Sequence, residues 1–421
     1  MRTLIILMAL LLSGAALAQE SLTLLDCQQM ARENAPRLGD LEVIQKMGET
    51  KIEQVGSSWY PSLDLNGKLT YQSDVTEVTL TDPSIPVEFP QVPHDQYGLN
   101  VDISQSLYDG GISKGKKSYE EALIASDLQQ VEVDLYGLKG IVNRYYFAVL
   151  ARQENMHNLE IHLENLQARM ETVQTAVTHG ALLETELYVI EVERLKVMKS
   201  MIELESHKKA YMSALKVICG EELNEEAILE NPHLERIGAT VISRPEYRLF
   251  DLKHASMEAG KELMGKKRMP QLYAFGQTGY GKPGYNMMSE DWDYYYMVGA
   301  GLKWKIWDWN STSREKLLIG YQQQILQTQR ASFDKEIETL LVQEEAKIEQ
   351  YRLTMELDQQ VLELQNKISE QAAVRLDNGT MTASDYVTEL NKESLARITL
   401  ATHQVMLMQA IANYLTIQGN L

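Results

Sequence analysis

The chain has 421 residues, 44% of them hydrophobic, which is enough for two or three ordinary domains. Its formal net charge of −19 argues against nucleic acid and against anionic membrane surfaces as partners. Beyond the N-terminus no stretch reaches about 18 consecutive apolar residues, so no transmembrane helix is expected.

Residues 1–18 read as a secretory signal. Arg2 supplies the charged start, residues 4–12 the apolar segment, and Ala16-Leu17-Ala18 a small-residue cleavage site before Gln19. Cys27 follows Leu24-Leu25-Asp26, without the small residues that precede a lipidated bacterial cysteine, so no lipid anchor is expected. Cys27 and Cys219 are the two cysteines. They either pair in an oxidising compartment or serve as small buried apolar groups, and their spacing leaves both open.

A first repeat is assigned to residues 19–220. It opens with a helical pattern over residues 23–57, broken near Pro36 and ended by Trp59-Tyr60-Pro61. Leu63, Leu65, Leu69 and Tyr71 then alternate with Asp64, Asn66, Lys68, Thr70 and Gln72, which predicts a strand over about 61–73 with one apolar face. Four prolines, Pro83, Pro86, Pro90 and Pro93, mark a loop. A second alternating strand, about 97–109, sets Tyr97, Leu99, Val101, Ile103 and Leu107 against Asn100, Asp102, Ser104 and Ser106. From 113 to 219 the pattern is a long helical hairpin. Leu163, Leu166, Met170, Val173 and Val177 keep a 3-4 beat, and His179-Gly180 makes the turn. Residues 221–243 read as an acidic linker with room for a short helix.

The plan then repeats over residues 244–421. Pro36, Pro61, Asp109 and Gly180 match Pro245, Pro270, Asp308 and Gly379, with intervals of 25, 48 and 71 residues against 25, 38 and 71. The unequal interval spans the loop with four prolines. The second strand pair is placed at about 270–281, apolar or aromatic on both faces, and about 294–308. In the latter, Tyr294, Tyr296, Val298, Ala300, Leu302, Trp304 and Ile306 share a face. The final hairpin is placed at about 311–418, and its first arm contains no proline. Ile337, Leu341, Ile348, Tyr351, Met355 and Leu362 on one arm and Ile398, Ala401, Val405, Met408, Ala412 and Leu415 on the other carry the coiled-coil seam. Asn378-Gly379 accepts the positive φ that the turn needs, and Thr382 or Ser384 can cap the returning helix.

All five tryptophans, Trp59, Trp292, Trp304, Trp307 and Trp309, fall at or near strand ends, joined by Tyr60, Tyr97, Tyr108 and Tyr294. That clustering suits the aromatic girdles of an outer-membrane barrel, and strands of about 10 residues match a tilted bilayer crossing. Four strands cannot close a barrel and open edges cannot face lipid, so a membrane sheet of this kind requires oligomerisation; three copies give twelve strands. The competing reading is a periplasmic or surface coiled-coil protein, structural or adhesive, with a small docking sheet.

No catalytic constellation stands out, and no cofactor is expected. The eight histidines form no i, i+4 pair, and His157 and His162 are five apart, off a common face. There is no Gly-rich phosphate loop and no Cys-x-x-Cys. Most of the nineteen methionines sit at or beside seam positions, as core fillers, with Met287-Met288 in a loop as an exposed-looking pair. Energy for any transport must come from a partner.

The duplication, the strand-closing Leu107-Tyr108-Asp109-Gly110-Gly111, Arg244-Pro245-Glu246 opening the second half, and the two helix-turn-helix tips together resemble the TolC-like outer-membrane efflux and secretion channel family over the whole mature chain. The resemblance implies a mainly α fold with a β-barrel. Such a homotrimer has a twelve-stranded barrel in the lipid of the outer membrane of a Gram-negative bacterium and a helical barrel in the periplasm. It also implies a periplasmic membrane-fusion adaptor and an inner-membrane pump as partners. In the family the adaptor meets Val-Gly-Leu-like or Val-Gly-Thr-like tips; the matching residues are His179-Gly180-Ala181 and Asn378-Gly379-Thr380, with His179, Ala181 and Asn378 departing. Two aspartates ring the closed periplasmic aperture in many members. Asp385 matches the first, while Thr388, with Glu389 beside it, stands at the second. The latch residues of some members are replaced by Leu376 and Met381.

Overall fold

The computed structural model describes residues 21–76, 92–234 and 242–421. The signal at 1–18, Pro83, Pro86 and Pro90, and residues 235–241 of the linker lie outside the described residues.

A short strand β1 (Ser21–Leu22) leads into α1 (Leu24–Glu33) and α2 (Leu38–Ser57). The break expected near Pro36 separates the two helices. Thr23 and Asp26 form a reciprocal capping box at the start of α1, and Asn34 and Pro36 fall in the break. Next come β2 (Ser62–Tyr71), β3 (Asp95–Tyr108), α3 (Ile112–Thr178) and α4 (Glu184–Cys219). The linker holds no helix among its described residues. Instead β4 (Ile228–Leu229) pairs in parallel with β1 through Ser21↔Ile228 and Leu22↔Leu229. Then follow α5 (Pro245–Lys266), β5 (Gln271–Lys282), β6 (Asp293–Lys303), α6 (Ser311–Asp377) and α7 (Ala383–Gln418).

The duplication is sharper in the structure than in the sequence. The long helices α3 and α6 have 67 residues each, and α4 and α7 have 36 each. All four pairs of bounds are offset by 199 (112 to 311, 178 to 377, 184 to 383, 219 to 418). The aspartates that precede the long helices do the same work. Asp109 accepts from the amides of Gly111 (2.8 Å) and Ser113 (2.6 Å), and Asp308 accepts from the Thr312 amide (3.1 Å) and hydroxyl (2.6 Å). Each satisfies amides that the first helical turn leaves without partners.

The chain divides into two compact units. One comprises residues up to Asp40, Gln130–Arg248 and Arg330–Leu421. Its cores are the seams between helices: Leu24, Cys27, Tyr146, Phe147, Leu150, Met212, Leu215 and Val405 in one cluster, and Leu166, Val173, Ile190, Leu376, Ala383, Tyr386 and Leu390 in another. The beats read from sequence fall on the packed faces: Leu166 and Val173 on α3, Ile337 and Ile348 on α6, and Val405, Ala412 and Leu415 on α7 are buried, while Leu163, Met170, Leu341 and Ile398 are half-buried.

The other unit comprises Leu41–Gln129 and Leu249–Gln329 and contains the four-stranded antiparallel sheet, in order β2-β3-β5-β6. The strand expected to reach 308 ends at Lys303. The ladder runs out there: Lys303 pairs with Gln271, the first residue of β5, and the preceding Pro270 has no N–H to give. Trp304 turns its indole N–H to the Arg268 carbonyl (3.2 Å), and Trp309 and Asn310 take positive φ before α6 begins.

Candidate functional site

Two surfaces have a chemistry that the fold does not consume. The first is the sheet. Leu65 (68% exposed) and Leu69 on β2, Leu99 on β3, Leu272 on β5, and Tyr296 and Val298 (77% exposed) on β6 form an apolar face left exposed among the described residues. Trp292 stacks on Tyr97 and Tyr280 at one end of that sheet, with centroids at 5.7 and 5.3 Å, and Tyr294 follows one strand position on. At the other end lie Trp59 and Tyr60 before β2, Tyr108 closing β3, and Trp304, Trp307 and Trp309 after β6, all exposed. The eleven residues of β6 rise about 37 Å. A tilt of about 45° brings that to roughly 26 Å, the height of an outer-membrane apolar band.

The opposite face is polar and aromatic. Asp102 accepts from Asn66 (2.6 Å), Asn100 (2.8 Å) and Gln277 (2.6 Å). Tyr273, Phe275 and Tyr295 lie across glycines of the neighbouring strand. A Cβ at Gly301, Gly299 or Gly279 would fall 2.3–2.6 Å from those rings, so glycine is what lets the rings lie flat on the sheet. Among the described residues the outer strands β2 and β6 have no partner beyond them.

The second surface is the pair of hairpin tips. Gly180 (φ +71°) and Gly379 (φ +65°) each end a 67-residue helix with the same double bond. Ala181 N–H donates to the Ala176 carbonyl (2.8 Å) and Gly180 N–H to that of Val177 (2.9 Å); Thr380 N–H donates to Arg375 (2.9 Å) and Gly379 N–H to Leu376 (2.9 Å). This is the Schellman arrangement, which needs a left-handed residue after the helix. His179, Ala181, Asn378 and Thr380 are exposed at the tips, and among the described residues no atom lies within 4 Å of a Cβ built at either glycine. The tips flank a cavity of about 370 Å³ lined by Val173, Ala181, Leu182, Leu376, Asn378 and Gly379. Leu376 is buried as a core residue.

Beyond the second tip, Thr382 caps α7. Its hydroxyl accepts from the Asp385 amide (3.1 Å) and donates to the Asp385 carboxylate (2.8 Å). Asp385 is exposed. Thr388 spends its hydroxyl on the Ser384 carbonyl (2.9 Å), and Glu389 pairs with Lys392 (2.8 Å) and Gln365 (3.3 Å). Of the three, Asp385 alone combines exposure with a carboxylate, which accepts the Thr382 hydroxyl.

Sequence reading missed the ties between the hairpins. Glu186 of α4 accepts from the Ala383 amide at the first turn of α7 (2.6 Å). Arg169 of α3 pairs with Asp377 of α6 and lies over the Tyr386 ring (5.0 Å). His162 of α3 is buried and bonded to Asn391 of α7 (3.1 Å), whose amide donates to Glu193 of α4 (3.0 Å). Burial pushes the His162 value below the ordinary histidine range, against the pull of the Asn391 bond and of Glu193 and Glu393. Among the described residues no group of three or more metal-ligating side chains gathers.

No family model matches the sequence, and no curated protein matches it significantly. Solved structures do match. The CmeC outer membrane channel of Campylobacter jejuni is 16% identical, with a TM-score of 0.64 over 94% of this chain and 85% of its own. The outer membrane protein VceC of Vibrio cholerae is 11% identical, with a TM-score of 0.65 over 94% and 96%. The open-state MtrE outer membrane channel of Neisseria gonorrhoeae is 13% identical, with a TM-score of 0.67 over 94% and 88%. The chain therefore has the TolC-like outer-membrane channel fold, mainly helical with a four-stranded antiparallel sheet.

Proposed function

We propose that this protein is an outer-membrane export channel of a Gram-negative bacterium and not an enzyme. Three copies close a twelve-stranded barrel in lipid, and their hairpins enclose a duct in the periplasm. The duct receives cargo from a periplasmic membrane-fusion adaptor and an inner-membrane pump, as the exit of a tripartite efflux or type I secretion system. The observation that carries this is the sheet: an exposed apolar face of bilayer height between two aromatic rows, with both edges unpaired among the described residues.

Elementary geometry supports closure by copies of the same chain. In an antiparallel order β2-β3-β5-β6, the β2 of a second copy runs antiparallel to β6 of the first, so repetition continues the sheet without a fault. Two copies would give eight strands, about the size at which side chains fill a barrel. The rings of Tyr273, Phe275 and Tyr295 on the inner face would occupy that space. Twelve strands leave a passage.

The helices support the same assembly. On α4, Tyr188, Val192, Leu195 and Ile202 form an exposed apolar stripe; on α6, Leu353, Leu357, Val361, Leu364 and Ile368 form another. Different stripes on different helices suit a head-to-tail contact, which closes into a ring. The tips, His179 to Ala181 and Asn378 to Thr380, are the adaptor-facing ends, and Asp385 contributes a carboxylate to the periplasmic aperture.

The test is the native mass of the protein extracted in detergent from isolated outer membranes. A particle of three chains is expected. A water-soluble monomer or dimer would remove the barrel and leave a coiled-coil scaffold.

A further inference from the structure

The chain has two cysteines, 192 residues apart, and the fold brings them together. Cys27 lies on α1 and is fully buried; Cys219 is the last residue of α4 and is almost so. The Cys219 thiol reaches the Cys27 carbonyl at 3.3 Å. The thiols also interact side chain to side chain, which pushes Cys27 up and Cys219 down from the ordinary thiol value. Around them Asn34 donates to the Ile218 carbonyl (3.2 Å), and Leu24, Ala31, Met212 and Leu215 complete the packing. The start of the first helix is also held by the two-residue β1–β4 ladder and by the Tyr146 hydroxyl, which donates to the Leu22 carbonyl (3.0 Å).

We propose that Cys27 and Cys219 are a disulfide site, and that the bridge fastens α1 to the last turn of α4. The oxidant is a thiol–disulfide exchange partner. One cysteine thiolate attacks a sulfur of the external disulfide, forms a mixed disulfide and expels one thiolate. The second cysteine attacks the protein-side sulfur of the mixed disulfide, forming the Cys27–Cys219 bond and expelling the other thiolate. The protein loses two electrons and two thiol protons; the oxidant's disulfide gains both and leaves as two thiols. Because the folded pair is shielded from solvent, exchange occurs before α1 docks. Once formed, the bridge closes a loop of almost half the chain, which narrows the unfolded ensemble, and burial then keeps reductants out.

In the cell, this rests on the export proposed above, since exchange oxidants of this kind act outside the reducing cytosol. Two arms keep the claims separate. In the first, the full chain is recovered from the cell envelope under acid quench, denatured, alkylated with N-ethylmaleimide without reductant, and digested. A linked peptide pair containing Cys27 and Cys219, absent from C27S and C219S, is expected; alkylation of both cysteines overturns the bridge in the cell. In the second, full-length reduced protein is refolded in detergent with reduced and oxidised glutathione. A bridge here with free thiols in the cell-derived protein overturns both the cellular claim and the compartment reading. No bridge in either arm overturns the pairing itself, and the compartment reading then stands or falls on the native mass in detergent.

Discussion

At the scale of single residues, the turn glycines separate geometry from recognition. Gly180 and Gly379 both sit at positive φ, and the space where a Cβ would go is open. Alanine at either position therefore meets backbone strain of about 1–2 kcal/mol and no clash. Thermal melting should fall modestly in Gly180→Ala and Gly379→Ala with the oligomer intact, while export falls sharply if an adaptor docks on the tips. Loss of the oligomer would make the turns purely structural. The buried His162 makes a pH prediction. Its folded value is depressed, so its contribution to stability is fully present above the unfolded value of about 6.5 and is lost as pH falls through the folded one. Melting temperature should drop between pH 7.5 and pH 5.5, and His162→Gln should flatten that drop; an unchanged slope would assign the acid sensitivity elsewhere. The positive φ of the turn glycines and the place of Asp385 in the first turn of α7 were legible from residue type and position. His162 was not, because its partners Asn391 and Glu193 are more than 30 residues distant along the chain. Glu186 could have been found, since it is the residue 199 positions before Asp385 and takes the matching place in the first hairpin.

At the scale of elements, what periodicity can report was legible. The 3-4 beats of α3, α6 and α7 mark the faces that pack within the chain, and alternation marks β2, β3 and β6. Where a strand ends depends on its neighbour, which is why alternation through Trp304 and Ile306 overran β6. The two-residue β1–β4 ladder is too short for any period. The stripes on α4 and α6 are apolar at helical spacing too, but periodicity alone cannot say whether a stripe meets a helix of the same chain or of another. Exposure decides it. Replacing Leu357 or Val361 with glutamate puts an unpaired charge where a contact between copies is proposed, a loss of several kcal/mol per interface if that contact forms. The variants should run as monomers in detergent while keeping their helical circular dichroism. A three-chain particle from both variants would place the interface elsewhere.

At the scale of the whole molecule, the duplication was the most informative feature of the sequence, because matched turn and cap residues recur at fixed intervals whatever lies between. That copies are needed follows from the four strands; how many does not follow from one chain, since it depends on the assembly. A function that exists only in the closed assembly is tested by charge that accumulates there. Three Asp385 carboxylates converging on one aperture would repel one another and hold cations, as charged rings do in other pores. The same carboxylate also accepts the Thr382 hydroxyl at the cap of α7, so removing the side chain confounds two roles. Asp385→Asn keeps an acceptor for Thr382 and deletes the charge, whereas Thr382→Ala removes the cap, at about 1 kcal/mol, and keeps the charge. In planar bilayers, Asp385→Asn should weaken block by divalent cations and lower cation preference at unchanged melting temperature. Thr382→Ala should do the reverse, lowering the melting temperature with cation block retained. If Asp385→Asn conducts as the parent does, the carboxylate is a helix cap and the aperture is lined by other residues.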